Sequence, residues 1–319
     1  MSTHRPSAMT SPVAAGPARF ERSVRRTSTM DMIRGGDNFR FAGLSRDLRT
    51  RGASAEVVDD AAIEALSSPG RALLSLVTTP QRSAAQDLVG RGLMRGFRDA
   101  VRTVLPDDVE GTTALALLLD ELPVAALIAG YGQLYNGEIE VGRDGGPGPD
   151  TCSGWRADGV MMTSVLAGDG VPVTVGPRVP DASLEPDPLA WHHTPPLPAN
   201  SMRRRRLVDV ADTDPYRVTA WFRDSHVNSH GTETVLHEYT VRATVDRDSL
   251  VLTTCDAVPQ VLPWVECPVA AASAWSLVGT PIGDVRRAVR STFHGTHTCT
   301  HLNDLLRSVG DVPALIGRL

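Results

Sequence analysis

The chain carries one short pattern twice, and this repetition constrains the fold more than any other feature. Gly111 to Leu122 reads G-T-T-A-L-A-L-L-L-D-E-L, and Gly295 to Leu306 reads G-T-H-T-C-T-H-L-N-D-L-L. Gly111 and Thr112 meet Gly295 and Thr296, Asp120 meets Asp304, Leu115 falls on Cys299, and Leu117 falls on His301. Further matches precede them in the same order: Leu88-Val89-Gly90 with Leu277-Val278-Gly279, Phe97 to Arg102 with Val285 to Arg290, and Arg46-Asp47 with Arg223-Asp224. The R-R-T-S-T-M-D run ending at Asp31 resembles R-R-L-V-D ending at Asp209. Ordered matches with nearly constant spacing imply a duplicated unit. The expected fold is therefore α+β, with two halves related by a pseudo-two-fold axis, each a small antiparallel sheet covered by helices.

The copies differ where chemistry is concentrated. The second has polar, metal-capable residues where the first has leucines, so the first reads as structural and the second as the carrier of any site. Leu302, Leu305, Leu306 and Val309 recur at helical spacing, which predicts a helix from about Thr298 with Cys299 in its first turn. Free N–H groups and the helix dipole there favour a thiolate. His301, two residues on, points about 200° away on an ideal helix, so both reach one metal only if that turn is irregular. Cys267 precedes an alanine-rich helix. Cys267, Cys299 and His301 form a candidate ligand set whose sulfur and nitrogen donors suit zinc or iron better than magnesium or calcium. The bland alternative is a capped amphipathic helix with a buried cysteine.

Strands of the second half bring further candidates. Arg203 to Arg206 precede Leu207-Val208-Asp209, and alternation in a strand would turn two arginines inward, to pair with Asp209 or Asp224 or to hold an anionic substrate. Tyr216 to Asp224 reads as a strand, as does Thr232 to Val245, where Val235, His237, Tyr239 and Val241 share a face. A histidine in such an apolar row is commonly a core residue; the functional alternative makes it an acid or base. A third strand, Leu250 to Thr254, ends at Cys255-Asp256. His237 or Asp256 as acid/base, Asp224, and Arg206 as part of an anion clamp complete the candidate catalytic set.

Elsewhere, Ser23 to Asp47 reads as two strands around Gly35-Gly36, and Glu56 to Leu66 and Leu73 to Val77 fit strand or helix. Ser83 to Leu105 is helical, Thr113 to Leu122 is a helix ended by Pro123, and Gly159 to Leu166 is a strand after the Gly145-Gly146-Pro147 turn. The domain reading is a disordered tail over 1–18, a first copy over 19–123, an intervening region and proline-rich linker over 124–198, and a second copy over 199–319. Trp191-His192-His193 in the linker offers a ligand pair or an anchoring tryptophan with solvated histidines.

Composition excludes several classes. The net charge is −5 and every basic residue is arginine, so there is no basic excess for nucleic acid. The most apolar window, Thr112 to Tyr131, is broken by Asp120, Glu121 and Pro123, which argues against a membrane span. Four widely spaced cysteines and no signal-peptide pattern point to free thiols in the cytoplasm. There is no P-loop and no G-x-G-x-x-G after a strand, so no nucleotide cofactor is expected.

R-R-R-R-L-V-D, F-R-D, L-H-E-Y, D-A-V-P, E-C-P, S-L-V-G and C-T-H-L-N-D-L-L together resemble an uncharacterised bacterial family, largely actinobacterial and proteobacterial, classed as a domain of unknown function. The resemblance is strongest over the second half and brings no activity with it. The order of strands, strand-end Asp256, Cys267 and late-helix Cys299 is also distantly similar to NifU-like iron–sulfur scaffold proteins, although Cys255 adjoins Asp256 where that family spaces its cysteine two residues before the acid. The expected function is a metal-assisted lyase or hydrolase acting on a small cytoplasmic substrate. The alternatives are an iron–sulfur or sulfur-transfer scaffold and a metal-free Cys/His nucleophilic enzyme.

Overall fold

The structure, a computed structural model, describes residues 4–139, 148–181 and 187–319. The Gly145-Gly146-Pro147 turn lies outside them. The strands are β1 (His4–Pro6), β2 (Met9–Thr10), β3 (Arg22–Gly35), β4 (Asn38–Arg51), β5 (Ser54–Ser67), β6 (Leu73–Thr79), β7 (Val173–Val175), β8 (Ser201–Ala211), β9 (Tyr216–Val227), β10 (Glu233–Val245) and β11 (Leu252–Leu262). The helices are α1 (Phe97–Val104), α2 (Pro106–Glu110), α3 (Ala114–Ile128), α4 (Tyr131–Tyr135), α5 (Val160–Leu166), α6 (Val285–Thr292), α7 (Thr300–Val309) and α8 (Val312–Ile316), with narrower 3-10 helices at Ser83–Leu88 and Cys267–Leu277.

The architecture is α+β, but the strands form one large antiparallel sheet rather than two small ones. Its order is β2-β11-β10-β9-β8-β3-β4-β5-β6, and β1 pairs separately with β7. The join is the β3–β8 pair, where Arg25 stands opposite Asp209 and Asp31 opposite Arg203. Both pairs are ion-paired: Arg25 Nε lies 3.0 Å from Asp209 Oδ2, and Arg203 Nε 2.6 Å from Asp31 Oδ1. Two long hydrogen-bonded strands with cross-strand salt bridges hold the sheet together, so neither set of strands keeps a free edge at the centre.

Alternation assigns the two faces. On β3, Val24, Met30 and Met32 face the helices and join the core, as do Arg26 and Ser28, which reach Asp47 and Glu121. Arg25, Thr27, Thr29 and Asp31 face the other way. There they meet a strap formed by residues 187–200 and the segment near Pro17. The proline-rich linker thus covers the polar face of the sheet. The expected disordered tail also packs, since β1 and β2 pair with β7 and β11.

Similar turns occur twice. Gly90 donates to the Leu73 carbonyl at 2.7 Å, and Leu73 donates to Arg91 at 2.8 Å. Gly279 donates to Leu252 at 2.8 Å, and Leu252 donates to Thr280 at 3.0 Å. Both glycines have φ +86°, a conformation that side chains with a Cβ resist.

Several local expectations are corrected. α3 runs through Pro123 to Ile128. A helical proline costs about 3 kcal/mol, which the burial of Leu115, Leu118, Leu119 and Leu122 offsets. The Ala114–Tyr135 stretch has mean hydropathy 1.7, yet 61 % of its apolar window is buried inside the fold, so it serves as core. Gly159 to Leu166 gives helix α5, not a strand. β11 continues past Cys255 and Asp256 to Leu262 because its partner β10 is long enough to pair with it. α7 begins at Thr300, which leaves Cys299 as its N-cap.

Candidate metal centre

The site grows from the β9–β10 hairpin. From the turn, Thr234 pairs with His226 and Val235 with Ser225, but His237 pairs with Asp224, so β10 has one extra residue at this point. A bulge of this kind re-aims the side chains that follow it. It places His237 beside Asp224 on the helix-facing side and puts Val235 on the opposite face, so these two do not share the face that simple alternation predicts. α7 then lays His301 over His237, with ring centroids 3.8 Å apart and 13° between planes. Phe222 stacks beside His301 at 6.3 Å.

Asp224, His237 and His301 present one ligand atom each, all within 4.8 Å of one another. Asp224 is 1 % exposed and its Oδ1 has no hydrogen-bond partner. Its Oδ2 lies 3.5 Å from Arg204 Nη1 and 4.0 Å from His301 Nε2. Burial pushes the Asp224 carboxyl up to about 6, against the pull of Arg204. Burial, then Arg204, lowers His301 to about 3, and burial holds His237 well below the ordinary histidine range. Both imidazoles are therefore neutral at pH 7 and can act as nitrogen donors.

Behind this trio lies a buried ion network. Arg204 Nη2 lies 3.0 Å from Asp304, which also binds Arg206 and Arg307. Burial alone would raise the Asp304 carboxyl, but Arg206, Arg307 and Arg204 outweigh it and hold the group far below the usual carboxylate range. Arg206 is occupied by Asp304 and by Glu121 at 3.1 Å, and it is 2 % exposed. Its guanidinium is thus held within the buried network.

The other sequence candidates stand apart. Asp256 is exposed on β11 opposite Arg242, its side chain facing away from the core that holds Cys255. Cys267 and Cys299 are buried at 5 % and 4 % exposure, and neither joins the ligand group. Cys299 makes no capping hydrogen bond, and burial pushes its thiol up to about 11. Burial raises Cys267 further. The helix dipole acts on Cys299, but desolvation outweighs it, so the expected thiolate is a protonated thiol. The sequence alone assigns Asp224 and His237 to catalysis and His301 to metal binding. The facing F-R-D and L-H-E-Y strands carried the missing signal, but the bulge that sets their register leaves no mark in composition.

Residues 202–314, from β8 to α8, match the family described as a protein of unknown function (DUF2889), and this span contains all three residues of the trio. No curated protein and no solved structure matches the chain.

Proposed function

We propose that Asp224, His237 and His301 bind one zinc or iron ion and that the chain is a metal-assisted lyase or hydrolase acting on a small substrate. The observation that carries this reading is the buried Asp224 Oδ1, which has no partner and stands with two neutral imidazoles. An unpaired buried carboxylate oxygen is costly, and a cation is the group that would satisfy it. One carboxylate and two imidazoles suit zinc or iron and leave coordination positions for water and substrate. A metal held in this way polarises a substrate oxygen and lowers the pKa of bound water. Arg204 orients Asp224, while Asp304 offsets the charge of Arg204, which would otherwise oppose a cation.

We also propose that residues 22–128 and 201–309 are copies of one unit related by a pseudo-two-fold axis. The two hairpins support this. In β4–β5, Asp47 pairs with Asp59 and Leu48 with Val57, a bulge like the one between His237 and Val235. In the first copy a cation already lies between the facing residues: Arg318 binds Asp47 and lies 3.1 Å from Asp59. The second copy has His237 and His301 at this place instead of a guanidinium, which favours an exogenous cation there.

The four free, buried cysteines fit a reducing cytoplasm. Their protonated state makes an iron–sulfur or sulfur-transfer scaffold the less favoured reading. Elemental analysis of purified protein tests the proposal. One equivalent of zinc or iron is expected in the wild type and in C267S and C299S, with loss in D224N, H237Q and H301Q. Stripped protein that fails to take up either metal, or a D224N/H301Q variant that retains it, overturns the reading.

A further inference from the structure

The strap-covered face of the sheet holds a second group of buried polar side chains, unrelated to the trio. Four arginines on this face each have their own carboxylate: Arg25 with Asp209, Arg203 with Asp31, Arg19 with Asp187, and Arg223 with Glu238. Arg46 and Arg205 do not; among the described residues no carboxylate lies within ion-pair distance of either. Arg46 donates only to the Leu189 carbonyl, at 2.8 Å, and its Nε is buried without a partner. Arg205 lies over the Trp191 ring at 5.8 Å, and its Nε is likewise buried and unpartnered. The acids closest in influence are already engaged: Asp187 by Arg19, Asp31 by Arg203, and Glu233 by Ser225.

Register places the two arginines around one spot. Thr27 of β3 stands opposite Arg46 of β4, and Thr29 opposite Arg205 of β8. The strap sets His192 on Thr27, with Nδ1 2.9 Å from Oγ1, and Trp191 on Thr29, with Nε1 3.1 Å from Oγ1. His192 therefore sits within the field of both guanidiniums, and its Nε2 is buried with no partner. All three residues keep partial exposure, although the unpartnered nitrogens themselves are buried.

We propose that Arg46, Arg205 and His192 form a binding site for a small oxyanion, a phosphoryl or carboxylate group. Guanidinium forks recognise both groups by paired N–H donation, and an anion there would balance two cations that lack carboxylates.

Isothermal titration calorimetry on the full chain at constant ionic strength tests this, with inorganic phosphate in one arm and acetate in the other. Saturable one-to-one binding is expected, and the tighter arm identifies the chemistry. R46Q and R205Q should each weaken it about tenfold or more, the value of a charge-assisted hydrogen bond, whereas R217Q, an exposed arginine on β9, should not. The His192 ring resonances should shift on titration, and H192Q, with folding checked by circular dichroism, should also bind more weakly. Absence of saturable binding in both arms, or unchanged binding in an R46Q/R205Q variant, overturns the proposal.

Discussion

His237 stands opposite Asp224 because β10 has one residue more than β9 between the hairpin turn and this pair. Deleting Leu236 removes that residue. The flanking pairs, Val235 with Ser225 and His237 with Asp224, then close into regular register, so the expected outcome is retained metal together with a loss of about 2–5 kcal/mol from a buried leucine. Elemental analysis of folded protein checks it; a folded deletion variant without metal would show that the pairing of His237 with Asp224 does not suffice and that the bulge itself aims the ring.

Arg25–Asp209 and Arg203–Asp31 join the two parts of the sheet with every side chain nearly or fully buried. Removing one partner leaves a buried charge. R25M should therefore cost about 3–5 kcal/mol in urea unfolding, while R25M/D209L should recover much of this loss. Equal losses in the single and double variants would mean that the pair is not the relevant interaction.

His226 is 0 % exposed, neither ring nitrogen has a partner, and Tyr131 and Tyr135 pack around it. Burial lowers it to about 4. Below about 6.5 the unfolded chain takes up a proton that the folded chain refuses, so stability falls with pH from there down to about 4. H226F should flatten that limb and, at pH 7, be neutral or stabilising by about 1 kcal/mol. Unfolding curves at pH 7 and pH 5 decide it: an unchanged pH slope in H226F would exclude His226 as its source.

Cys152, Cys255, Cys267 and Cys299 are all buried, and burial pushes Cys255 up to about 12 and Cys299 to about 11. A thiol reagent at pH 8 should label none of them in native protein and all four after denaturation. Rapid native labelling of Cys299 would restore it as a candidate nucleophile.

Arg318 links the C-terminus to Asp47 and Asp59 of the first hairpin. R318A should leave two facing carboxylates short of a cation and cost about 1–3 kcal/mol, read as a lower urea midpoint. A variant as stable as the wild type would show that Arg26 alone satisfies Asp47.

The sequence by itself determined what depends on neighbours along the chain. Period-two and period-three-to-four patterns fixed the β3–β4 hairpin, the β9 and β10 strands and the amphipathic face of α7. The alternation of Arg203 to Arg206 gave two arginines to each face, since strand geometry admits no other arrangement. The presence of Asp224, His237 and His301 among the site candidates was equally legible. What joins them was not. Tertiary structure decided that the strands merge into one sheet, because the β3–β8 register rests on pairs such as Arg25–Asp209, 184 positions apart. It decided that α3 passes Pro123, because core burial outweighs a local penalty. It also placed Cys267 and Cys299 outside the group formed by Asp224, His237 and His301. A helix N-cap favours a thiolate only where its charge is sufficiently supported, and at Cys299 burial outweighs the neighbouring donors.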